Sequence, residues 1–102
     1  MNLLLAIWMF VTITWYHPDL DGNIMANGLP YSRTDTTICA SNDYPLGTVL
    51  AVYTKNNLTF CLVNDRMAYG IKNRLDMSEA GFSSHTRLAD GVIIGKVTNG
   101  TK

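Results

Sequence analysis

Between residues 13 and 98 the apolar residues come in short segments broken by turn-formers, and this rhythm leaves little room for anything but β-structure. Ile13 to Tyr16 is β-branched and aromatic and stops at Pro18. Asp21-Gly22-Asn23 and then Asn27-Gly28 with Pro30 are turn signals. Thr37 to Ala40 is a short extended piece. Pro45 to Gly47 turns the chain into Thr48 to Thr54, where Val49, Ala51 and Tyr53 alternate with Leu50, Val52 and Thr54. Lys55-Asn56-Asn57 makes a hairpin-like connection to Leu58 to Val63. A further extended piece holds Arg74 to Asp76, and Ser78 caps a helix with Glu79 in its first turn and Ala80 and Phe82 as packing residues. Gly81 and Ser83-Ser84 keep that helix short. Asp90-Gly91 turns into a last strand, Val92 to Val97. Six short strands, one short helix and no second helical layer predict an all-β fold, a small closed barrel.

A chain of 102 residues is one small domain. Only 16% of the residues are charged and they balance to zero, so there is no electrostatic footprint for nucleic acid. Leu3 to Val11 is an unbroken apolar run, far shorter than the roughly 20 residues that span a bilayer as a helix. It has no Lys or Arg ahead of it and no small-x-small site behind it. Residues 1–12 therefore read either as an export signal or anchor, or as a buried first strand; 13–98 form the domain and 99–102 a tail. Cys39 and Cys61 belong to no metal-ligand spacing. They are either a disulfide, if the chain is exported, or two buried thiols.

The charges cluster in one place. Phe60-Cys61-Leu62-Val63 runs into Asn64, Asp65 and Arg66, and a short loop later comes Arg74-Leu75-Asp76-Met77-Ser78-Glu79. Charges at the end of an apolar segment mark where it meets solvent or a cleft. Surface ion pairs and a functional site both fit that pattern.

Taken in order, Trp15-Tyr16, Met25-Ala26-Asn27-Gly28 with Tyr31, Cys39-Ala40-Ser41-Asn42-Asp43-Tyr44-Pro45-Leu46-Gly47-Thr48, Val63-Asn64-Asp65-Arg66, Arg74-Leu75-Asp76-Met77-Ser78 and Gly91-Val92 form a series. It closely resembles the double-psi β-barrel domain of the rare lipoprotein A family, related to expansins and to the barrel of membrane-bound lytic transglycosylase A. The resemblance implies a six-stranded double-psi barrel over residues 13 to 98. It also implies a monomer that acts on the glycan strands of peptidoglycan in the periplasm, outside the cell or at the envelope, with no cofactor or metal.

Some members of that family cut the glycan between N-acetylmuramic acid and N-acetylglucosamine without water. An acid protonates the departing oxygen, and a base then takes the proton of the muramyl 6-hydroxyl as the 1,6-anhydro ring closes. One carboxyl can do both in turn. By motif position Asp65 carries over as that acid and base, and Asp76 as the second acidic residue of the cleft. Arg66, Arg74, Asn64, Ser41, Tyr16 and Tyr31 carry over as groups that contact the glycan. Arg74 and the helix start favour an ionised Asp76, whereas the apolar run before Asp65 favours a raised pKa there. The two carboxyls are expected to open into one groove with Arg66 or Arg74 beside them. Three positions depart from the family: Leu29 stands where a Glu is common, Ser32 where an Asp is, and Ser41 where a His is. Lost ionisable groups favour the alternative function, a non-catalytic, expansin-like module that binds or loosens wall polysaccharide.

Overall fold

Inward residues at every second position define the barrel interior. In the computed structural model, which describes residues 2–100, Val11 and Ile13 of β1 (Met9–Trp15) and Leu50 and Val52 of β3 (Val49–Tyr53) point in. Cys61 and Val63 of β4 (Leu58–Asp65) and Leu75 and Met77 of β5 (Arg74–Met77) complete the lining, with Cys39 of β2 (Ile38–Ala40) and Val97 of β6 (Ile93–Thr98). The strands close in the order β1-β5-β2-β4-β3-β6. Two neighbouring pairs, β1–β5 and β2–β4, are parallel, and the other pairings are antiparallel. The expected all-β, six-stranded barrel with one short helix is what forms.

The helix α1 (Glu79–Ser83) is capped by Ser78, whose hydroxyl accepts the Gly81 N–H at 3.0 Å. It seats Phe82 in the core against Trp15. Gly95 lets β6 cross tightly, since a Cβ there would lie 2.7 Å from Ile13 Cδ1 and 2.8 Å from the Tyr53 carbonyl. His85 is buried just after α1, its two ring nitrogens 2.7 Å from the Thr54 and Thr59 hydroxyls. It ties the helix to the β3–β4 hairpin. Cys39 and Cys61 are joined in a disulfide between neighbouring strands β2 and β4, with Cα atoms 5.9 Å apart.

β1 starts at Met9, not Ile13, and so takes its first four residues, Met9 to Thr12, from the segment read either as a signal or anchor or as a first strand. Met9 to Ile13 pair with Val97 to Ile93. An apolar outward residue, Phe10, hides the alternation that would have marked the strand in the sequence. No helix among the described residues is long and apolar enough to cross a membrane. Thr101 and Lys102 of the tail lie outside the described residues.

A second cluster sits outside the barrel. The long β1–β2 connection folds back so that Tyr16, Met25 and Tyr31 pack on Ile38, Ala40 and Met67. Tyr16 and Tyr31 stack face to face, with ring centroids 4.1 Å apart. This cluster covers the strands that carry the charges.

Candidate functional site

Ala40 is the hub of the site. On one side it pairs with Asp65 of β4, and on the other with Asp76 of β5. One strand therefore separates the two carboxylates, about 10 Å between backbones at ordinary sheet spacing. The register thus brings Asp65 and Asp76 to either side of one residue, Ala40.

Asp76 is the perturbed carboxyl. Burial raises its pKa above the ordinary value, and the negative charge of Asp65 adds to the rise. The Thr14 hydroxyl and the Arg74 charge oppose the shift without cancelling it. Parallel pairing places Thr14 opposite Asp76 and Thr12 opposite Arg74. Thr14 donates to Asp76 Oδ1 at 2.9 Å and accepts from Arg74 Nη2 at 3.2 Å. Arg74 thus reaches Asp76 through a hydroxyl. The expected ionising effect of Arg74 is present but is outweighed by burial. Thr14 went unmarked in the sequence, where its only signal is an outward position on the strand before Trp15-Tyr16.

Asp65 is an anchor. Its Oδ2 accepts the Tyr16 hydroxyl at 3.0 Å, and its Oδ1 accepts the backbone N–H groups of Ala26 at 2.8 Å and Arg66 at 2.9 Å. These bonds hold the β1–β2 connection to the end of β4. Tyr16 is buried, and burial beside Asp65 pushes its hydroxyl far above the ordinary tyrosine value, so it stays a proton donor to Asp65. Asp65 thus spends both carboxylate oxygens on groups of the protein itself.

The expected glycan contacts divide in the same way. Tyr16 and Tyr31 are only 4% and 2% exposed and spend their ring faces on each other. The Tyr31 hydroxyl accepts the Glu79 N–H at 3.2 Å. Ser41 is buried and its hydroxyl accepts the Asp43 N–H at 2.9 Å, which shapes the β2–β3 loop. These three side chains are packed into the fold and do not reach a ligand directly. Arg66 is exposed, and its Nη1 donates to the carbonyls of Ser41 at 2.7 Å and Tyr44 at 2.5 Å. Asn64 Oδ1 and Arg74 Nε are buried without a hydrogen-bond partner. Both atoms are closed off from the surface, so neither is offered to a ligand as the fold stands.

An open concavity of about 590 Å3 lies beside Asp65, lined by Asn42, Arg66, Met67, Tyr69, Gly70 and Lys72. Neither carboxylate lines it. The expected shared groove thus holds Arg66 but not Asp65 or Asp76, because Asp65 turns to Tyr16 and Ala26 and Asp76 turns to Thr14.

No protein-family model matches the chain, and no curated protein matches it. Solved structures do. The Streptomyces papain inhibitor is similar with a TM-score of 0.75 at 21% identity, over 90% of this chain and 93% of the inhibitor. The apo expansin of Clavibacter michiganensis is similar with a TM-score of 0.71 at 23% identity, over 90% of this chain. A point mutant of that expansin in complex with cellohexaose gives 0.70 at 19% identity. The chain spans 50% of the expansin's length. What these proteins and this chain have in common is the fold, and the chain is a double-psi β-barrel.

Proposed function

We propose that the protein is an expansin-like module that binds the polysaccharide of the cell wall, peptidoglycan glycan strands in particular, and works as a monomer outside the cytoplasm. The observation that carries this reading is the Asp76–Thr14–Arg74 chain. It is a carboxyl whose pKa burial raises, linked through a hydroxyl to a guanidinium, on a barrel fold shared with an expansin solved with cellohexaose. Carboxyl, hydroxyl and guanidinium together match the alternating donors and acceptors of a sugar. Leu29 and Ser32 remove ionisable groups that the resemblance leads one to expect, and the buried Ser41 removes a third. That favours binding over cutting. The disulfide suits an oxidising compartment.

One observation favours cleavage as a second reading: the raised pKa of Asp76 is what a general acid needs. Asp76 then takes the role of acid and base that the sequence suggested for Asp65. The test is to incubate the protein with purified sacculi, measure the bound fraction, and analyse the soluble products by mass spectrometry. Binding without 1,6-anhydro products is the expected result. Anhydro products lost in Asp76→Asn would establish the second reading. Failure to bind sacculi or cellulose, together with inhibition of papain, would move the function to that of the other solved neighbour.

A further inference from the structure

The concavity beside Asp65 is built for negative charge. Two of its lining residues, Arg66 and Lys72, are cations, and none is acidic. Neither cation forms an ion pair among the described residues. Arg66 is fixed by Nη1 on two carbonyls, which leaves Nε and Nη2 of the same rigid fork without a hydrogen-bond partner among the described residues. Lys72 is held by the Asn42 carbonyl at 3.0 Å. The carboxylates nearest in sequence do not line the concavity and are taken up by other donors: Asp43 accepts the Asn73 N–H, and Asp65 accepts the Tyr16 hydroxyl and the backbone N–H groups of Ala26 and Arg66.

The concavity also carries an aromatic ring. Tyr69 is fully exposed, unlike the stacked Tyr16 and Tyr31. Its loop is held in shape by Asn42, whose Oδ1 accepts the Met67 N–H at 2.9 Å and whose Nδ2 donates to the Ala68 carbonyl at 2.8 Å. Gly70 supplies the left-handed turn that follows, at φ 85°. A flat ring beside a fixed guanidinium and an ammonium offers stacking for a pyranose face and a charge-assisted bond for a carboxylate on it.

We propose that this concavity is a subsite for a carboxylate-bearing sugar, and that it gives the glycan-binding module a preference for acidic over neutral polysaccharide. The proposal rests on the glycan-binding reading and adds the chemistry of the sugar. A lactyl ether on an amino sugar and a uronic acid present the same carboxylate, so both are probed.

The experiment measures binding of the whole protein to oligogalacturonate, to glycan strands freed of peptide, and to neutral cellohexaose and chitohexaose. Tighter binding of either acidic ligand than of the neutral ones, weakened by salt, is expected. Lys72→Gln should lower acidic-ligand affinity about three-fold, in line with a partly exposed charge pair, and leave neutral ligands unchanged. Tyr69→Ala should weaken acidic and neutral ligands alike. Binding to galacturonate alone or to peptide-free strands alone identifies which acidic sugar is the source. Equal affinity for acidic and neutral ligands, or a Lys72→Gln variant that binds acidic ligands as wild type does, overturns the subsite and leaves the glycan-binding reading standing. No binding to any of the four overturns both.

Discussion

At Asp76 the native fold holds a carboxyl that the unfolded chain would ionise more readily, because burial outweighs the Thr14 hydroxyl and the Arg74 charge. A folded-state pKa raised above the unfolded value stabilises the fold fully only below the unfolded pKa, and that contribution is lost as pH rises through the folded value. Asp76→Asn should therefore raise the melting temperature by a few degrees at pH 7 and by almost nothing near pH 3, while weakening glycan binding. Asp65→Asn should do the reverse to stability. An amide has one acceptor oxygen where the carboxylate accepts three hydrogen bonds on two, so a cost of about 1–3 kcal/mol is expected. Thermal melts of the two variants at pH 7 check both; a drop in each would mean that Asp76 is also an anchor. Both carboxylates were legible in the sequence as candidates, and the register sets them on either side of Ala40. Their roles were not, because the partners of Asp65 are Tyr16 and Ala26, 49 and 39 residues away, and no local pattern brings them there.

Among the elements, β3 and β4 could be read directly, since each is a short run of β-branched, aromatic and aliphatic residues bounded by turn-formers, Pro45 to Gly47 before β3 and Lys55 to Asn57 between the two. β1 could not, because Phe10 faces outward and makes a strand look like a continuous apolar run. The same limit hid the outer cluster, which depends on how the β1–β2 connection folds back over the barrel. The junction of α1 with the β3–β4 hairpin yields a pH prediction. Burial lowers the pKa of His85, which bridges Thr54 and Thr59. A lowered folded-state pKa means that the unfolded chain binds the proton first, so stability should fall as pH drops below the unfolded value of 6.5 and level off below the folded one. Urea titrations between pH 7 and pH 5 measure the slope, and His85→Gln should flatten it. Disulfide reduction acts on a different pair, β2 and β4. Closing a loop over a separation of 22 residues is worth about 3 kcal/mol in the chain-entropy model, so reduction should lower the urea midpoint with the barrel still forming.

For the molecule as a whole, the closure of the barrel decides what can be removed. β6 lies between β1 and β3, so a chain ending before Ile93 leaves two strands with open edges and Val97 missing from the core. Such a truncation should be unfolded by circular dichroism, even though each hairpin before it is intact. The pairing of β1 has a further consequence in time. Its neighbours are β5 and β6, and Met9 lies opposite Val97, so the first strand made is the last to find its place. At roughly 5–20 residues per second of synthesis, the nascent chain spends several seconds with its first strand unmatched. During that time it is a pliable polymer whose apolar first strand a chaperone can hold, before any barrel exists to bury it.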